Sequence, residues 1–224
     1  MARFDWDRGR RIGAPEVILG EGKRADDLVA ILWRLAHENR GALVSRITER
    51  QRRRLEPEIR RGLPLRFLAG GRVARLAGPL GVPPKTGTVA VVAAGTSDVP
   101  VAEEAVAILR ELGVTVVTAY DVGVAGLHRL MAAVRRLSRA RPRAYLVFAG
   151  REGALPTVTA GLVGAPVLGI PTSVGYGRGA RGRAALNAML QSCAPLAVFN
   201  IDAATPAALF AAQWLSFPGP RARA

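Results

Sequence analysis

Two hydrophobic patterns divide the chain. From Thr88 onward, short, largely apolar strand-like runs recur at Thr88 to Ala93, Val114 to Ala119, Ala144 to Phe148, Pro166 to Ile170 and Ala197 to Ile201. Stretches with helical spacing lie between and after them, at roughly 100–112, 125–139, 154–163, 181–192 and 204–216. Strands that are apolar on both faces and separated by helices predict a parallel sheet covered on both sides. Five strands fit a flavodoxin-like, doubly wound α/β fold. With the order 2-1-3-4-5, the ligand crevice falls between the first and third strands, outside their carboxyl ends. The loops at that point are 94–100 (AGTSDVP) and 149–156 (AGREGALP), and both open helices. Free N–H groups and the positive dipole end at such a helix start suit phosphate or carboxylate.

The first 85 residues follow no single period and predict a small α+β module. Asp26 to Glu38 carries Leu28, Ile31, Leu32, Leu35 and Ala36 at helical spacing. Asp26 stands where it caps that helix or favours its positive end. Shorter apolar pieces follow at 41–44, 64–68 and 72–76. Pro and Gly, which break both helix and strand, concentrate in GPLGVPPKTG (78–87), the expected linker. The expected division is a module with its linker at 1–85 and an α/β domain at 86–224.

Composition narrows the classes. At 224 residues and 50% apolar content the chain has enough core to fold without staples. The one cysteine, Cys193, supports neither an internal disulfide nor a thiolate zinc cluster. Two histidines, His37 and His128, are too few for a His-rich metal site, so no tightly bound metal is expected. The N-terminus lacks the apolar core of a secretory signal, and the apolar runs fall far short of the ~18 residues of a membrane span. A cytoplasmic protein with no membrane partner is the expectation. Net charge is +15, which favours anionic partners such as nucleotides. The cations, all Arg except Lys23 and Lys85, are scattered through the whole sequence. Even the dense run Arg50, Arg52, Arg53 and Arg54 has no interleaved aromatics for stacking on single strands, so no nucleic-acid partner is expected.

Several loop residues have the types that carry chemistry. Gly95, Thr96, Ser97 and Asp98 end the first strand of the α/β domain, with Pro100 following. Ser97 or Asp98 there caps the next helix, faces the crevice, or does both. Asp121 and His128 follow the second strand; an imidazole there exchanges a proton, donates to an anion, or simply belongs to the helix surface. Glu152, between Gly150 and Gly153, suits a base, a ribose-hydroxyl acceptor or a helix-start carboxylate. Ser173, Gly175, Tyr176, Gly177, Arg178 and Arg181 follow the fourth strand. They read as a phosphate-approaching loop with Arg support, or as a flexible surface loop. No Walker A or GxGxxG signature is present, which favours a mononucleotide over a standard dinucleotide site. Cys193 is either a small buried hydrophobe or, if exposed beside positive charge, a nucleophile.

Seven segments taken together resemble the LarB family of nickel-pincer nucleotide cofactor biosynthesis. They are PEVILGEGK (15–23), VAAGTSDVPVAEEA (92–105), YDVGVAGLHRL (120–130), AGREGALPTV (149–158), PTSVGYG (171–177), AMLQSCAP (188–195) and NID (200–202). The catalytic domain of that family is related to the aminoimidazole ribonucleotide (AIR) carboxylase/mutase of purine synthesis. The resemblance implies carboxylation of the pyridinium ring of nicotinic acid adenine dinucleotide at C5, with hydrolysis of its phosphoanhydride. CO2 or bicarbonate is the implied co-substrate, and Mg2+ held through substrate phosphates is compatible with the hydrolysis. The family's nucleophilic cysteine maps onto Cys193, with His128, Asp98 or Glu152 for proton transfer. The glycine loops and Arg178 or Arg181 are implied for the anions, and a homo-oligomer, an octamer in relatives, for the assembly. The neighbouring expectation is the purine-type reaction itself on the same sheet.

Overall fold

The computed structural model describes residues 4–5, 7–82, 84–175 and 177–216. The chain divides into two compact units, Met1–Pro84 and Lys85–Ala224.

In the first unit a short helix α1 (Arg8–Ile12) precedes β1 (Val17–Leu19), α2 (Ala25–His37), β2 (Ala42–Ser45), α3 (Glu49–Arg60), β3 (Leu65–Leu68) and β4 (Val73–Leu76). The sheet order is β1-β2-β4-β3, parallel between β1 and β2 and antiparallel elsewhere. Leu28, Leu32 and Leu35 of α2 are fully buried. Full burial of each such leucine stabilises by about 1.5–3 kcal/mol. The α2 N-cap is Arg24 rather than Asp26, which instead sits in the first turn and pairs with Arg54 at 2.8 Å. The arginine run lies on α3, which charge alone did not identify as a helix. Thr48 and Gln51 close a capping box there, and Glu49, Glu56, Glu58 and Asp26 hold Arg52, Arg53 and Arg54 in ion pairs. Much of the local positive charge is therefore spent inside the unit.

In the second unit β5 (Thr88–Ala93), α4 (Val99–Glu111), β6 (Thr115–Ala119), α5 (Leu127–Ser138), β7 (Ala144–Ala149), α6 (Ala154–Ala160), β8 (Val167–Pro171), α7 (Arg183–Leu190), β9 (Ala197–Val198) and α8 (Ala204–Trp214) follow one another. All five strands are parallel, in the order β6-β5-β7-β8-β9. This is the doubly wound α/β arrangement anticipated from the apolar runs. β5 and β7 are buried almost throughout, which is why they read as continuous apolar segments. A stripe of alanines on α8 (Ala204, Ala207, Ala208, Ala211, Ala212) is wholly buried, letting the helix pack closely. No helix among the described residues is long and apolar enough to cross a membrane.

Candidate active site

The strand order reverses between β5 and β7, and a cavity of about 260 Å3 opens there beyond the carboxyl ends of the strands. Gly95, Ser97 and Asp98 line it from the turn after β5, and Arg151 and Glu152 from the loop after β7. Gly123, Val124 and Ala125 close it from the loop after β6, and Val174 from the loop after β8.

Asp98 is the best-defined chemical group in the cavity. Its position just before α4 suits a cap, yet its side chain makes no cap bond to that helix. The carboxylate folds back instead, accepting the Gly95 N–H at 2.9 Å through Oδ2 and the Thr172 hydroxyl through Oδ1. The Gly150 N–H also bonds to it. Asp98 is 4% exposed and Thr172 fully buried, so the pair is fixed by packing on both sides. Burial pushes the Asp98 carboxyl above its ordinary range. The Thr172, Gly95 and Gly150 donors pull it back, and the neighbouring Glu152 charge adds a smaller upward push. A carboxyl whose affinity for a proton is raised in this way is a stronger proton acceptor than a solvated aspartate.

The glycines around it are demanded by close approach. A Cβ at Gly150 would stand 2.1 Å from Thr172 Oγ1, and one at Gly175 would stand 2.5 Å from the Gly150 carbonyl oxygen. Gly153 has φ +72° and would meet the Ala185 backbone. These positions lock the β7–α6 and β8–α7 loops together, so their tight packing is internal. Gly177, at φ +58°, has open space instead.

The remaining sequence candidates separate. Thr96 and Ser97 are exposed on the β5 turn, with Ser97 on the cavity wall. Asp121, at φ +57°, is exposed and paired with Arg129, and it does not line the cavity. His128 is exposed on the first turn of α5, one residue past Leu127, also outside the lining. The Ser173 N–H donates to Asp202 Oδ1 at 2.9 Å, which pins the β8 loop to the chain after β9. Arg178 is exposed on a 3-10 segment, Gly177–Gly182, in which Ala180 and Arg181 adopt left-handed backbone. Tyr176 lies outside the described residues.

Cys193 is exposed. Helix α7 starts at the carboxyl edge and carries the chain about 12 Å away along its eight residues before the cysteine turn is reached. That turn feeds β9 from its amino end, and Cys193 does not line the cavity. The neighbouring Ser192 hydroxyl accepts from Thr157 Oγ1 at 2.9 Å and from the Ala194 N–H at 3.1 Å, which ties the turn to α6. No group of three His, Cys, Asp or Glu residues converges on a metal position among the described residues.

Sequence reading alone passed over Thr172, which is buried behind Asp98, and Gly123 to Ala125. The second group carried a visible sign, the glycine-flanked VGVAG turn, although the eye goes first to its charged neighbours Asp121 and His128.

Comparison with known proteins agrees with the two-unit division. A model of the AIR carboxylase family matches residues 88–224, and one of the LarB/PurE-like N-terminal domain matches residues 1–73. An uncharacterized protein of Methanocaldococcus jannaschii is 39% identical over 214 residues, covering 93% of this chain and 82% of the relative.

Proposed function

The chain belongs to the AIR carboxylase family in its LarB-like form, a family of carboxylase type, and from that premise we propose that it carboxylates the pyridinium ring of nicotinic acid adenine dinucleotide. The products are AMP and the pyridinium-3,5-biscarboxylic acid mononucleotide, a precursor in nickel-pincer cofactor synthesis. The observation that carries this reading is the exposed thiol of Cys193 in a chain that joins a LarB/PurE-like N-terminal domain to a carboxylase domain.

A pyridinium ring is electron-poor and does not attack CO2. Addition of the Cys193 thiolate at ring C4 forms a C–S bond and moves an electron pair into the ring, giving a dihydropyridine whose C5 is an enamine carbon. That carbon attacks CO2, forming the new C–C bond and leaving an iminium. Asp98 takes the C5 proton and restores the enamine, and expulsion of the thiolate from C4 regenerates the aromatic cation and the enzyme. Water cleaves the phosphoanhydride to release AMP. Arg151, on the cavity wall, and the loop amides suit the anionic groups. Any Mg2+ enters with the substrate phosphates rather than on a protein cluster.

Because α7 carries Cys193 away from its own chain's cavity, the proposal pairs the thiol of one protomer with the cavity of another in a homo-oligomer. A cavity of about 260 Å3 also holds only part of a dinucleotide, which is consistent with a second wall from a neighbouring copy.

The competing reading is the purine-type reaction on aminoimidazole ribonucleotide, favoured by the family match over 88–224. Its substrate is already electron-rich and needs no thiol. Incubation of the purified protein with nicotinic acid adenine dinucleotide and labelled bicarbonate, followed by mass spectrometry, tests the proposal. AMP and a labelled carboxylated mononucleotide are expected, and both disappear in Cys193→Ser. Turnover of aminoimidazole ribonucleotide alone, indifferent to that substitution, would replace this reading by the purine one.

A further inference from the structure

We propose that Thr172 is a positioning residue for the cavity carboxylate: its buried hydroxyl, donated to Asp98 Oδ1 from the end of β8, fixes the orientation of that carboxylate at the cavity wall. The role of Asp98 as proton acceptor rests on the carboxylase reading. The hydrogen-bonded geometry does not.

Three loops converge on this one carboxylate. Oδ2 is held by the Gly95 N–H of its own turn, and Oδ1 takes the hydroxyl of Thr172, 74 residues away in sequence. The Gly150 N–H, from the loop after β7, completes the set of donors. Every one of them favours the charged form, against burial that disfavours it. The other charged groups facing Asp98 from the elements around the cavity are Arg151 and Glu152, both on exposed positions of the β7 loop. Thr172 bonds the carboxylate directly through its side-chain hydroxyl. Thr172 is itself held in place. Its N–H donates to the Ala149 carbonyl, and the next residue is anchored through the Ser173 N–H to Asp202. Gly150 leaves space only for the Thr172 hydroxyl, since any side chain there would displace it.

Two substitutions separate this role from simple filling of space. Thr172→Val keeps the shape and removes the donor, and Thr172→Ser keeps the donor and removes a methyl group. The first readout is the pH profile of kcat/KM with nicotinic acid adenine dinucleotide. Thr172→Val should move the acid limb upward by about one pH unit, the scale expected for loss of a hydrogen bond to a charged group. That is roughly a tenfold loss of rate on the acid side with the alkaline plateau kept within about twofold. Thr172→Ser should hold the wild-type midpoint. The second readout needs no turnover: infrared difference spectra across pH, with the Asp98 carboxyl band assigned by its loss in Asp98→Asn, should show the same upward shift in Thr172→Val. An unmoved band in Thr172→Val, or an equal shift in Thr172→Ser, overturns the proposal. An absence of turnover in the wild-type protein with the band shift intact would instead overturn the carboxylase reading and leave the positioning role standing.

Discussion

Replacing Gly150 with alanine puts a methyl group into the contact on which the cavity is built. The new Cβ would lie 2.1 Å from Thr172 Oγ1, 2.5 Å from Val174 Cγ2 and 2.8 Å from the Thr172 carbonyl oxygen, where ordinary contact begins at 3.4 Å. The hydroxyl would have to retreat by more than an ångström, which takes it out of hydrogen-bond range of Asp98. Thr172 is fully buried and has no open side to retreat into, so the β7 and β8 loops must separate instead. Overpacking of this kind costs about 1–3 kcal/mol. For a domain of this size that corresponds to a fall in Tm of roughly 3–10 °C. Thermal unfolding followed by circular dichroism measures the first effect, and the pH profile of AMP release measures the second. The acid limb should rise as it does in Thr172→Val. Gly164→Ala is the control, because a Cβ there meets nothing within 4 Å, and it should change stability by less than about 0.5 kcal/mol. A Gly150→Ala protein with Tm within about 1 °C of wild type and an unmoved acid limb would refute the reasoning that these glycines exist for loop contact.

Three further outcomes follow from the same geometry. Asp98 has a folded pKa above its ordinary 3.8, so its contribution to stability is present below that value and is lost as pH rises through the folded pKa. The Tm of wild type minus that of Asp98→Asn should therefore become more negative toward neutral pH, and a difference independent of pH would contradict the burial argument. Glu58 lies the other way: the Arg54 guanidinium, then the Trp33 indole N–H at 3.0 Å, hold its carboxyl below the ordinary 4.5. Glu58→Gln should destabilise the first unit at neutral pH, with the deficit shrinking in acid, and a deficit that persists unchanged in acid would show that packing rather than charge is involved. Finally, Cys193→Ser and Asp98→Asn proteins, each inactive alone, should regain part of the activity when co-expressed as mixed oligomers. Mixed oligomers as inactive as the parents would place the thiol and the cavity in the same chain.

How much of this was legible in the residues depended on the range of the interaction. The positions of the strands followed from local signals, because buried strands such as Val89 to Ala93 and Tyr145 to Ala149 have to be apolar on both faces, whereas their order came only with the fold class. The turn after β5 was legible for the same reason, since its glycine and small polar residues sit at the carboxyl edge. Helix α3 was hidden by its charge: the arginines that suggested a solvated run belong to a capped helix whose cations pair with its own glutamates and with Asp26. Thr172 was hidden because its partner is 74 residues distant and only folding brings them together. The exposure of Cys193 and its distance from its own chain's cavity lie beyond any local pattern, since both depend on where α7 ends in space.

The account turns on a covalent bond between the Cys193 sulfur and the pyridinium ring. Intact-protein mass spectrometry after rapid quenching of the enzyme with nicotinic acid adenine dinucleotide, without bicarbonate, measures that bond directly. One nucleotide adduct per chain should appear on the wild-type protein, map to the peptide containing Cys193, and be absent from Cys193→Ser. Unmodified wild-type protein, together with a Cys193→Ser enzyme that still releases AMP and the carboxylated product, would contradict it.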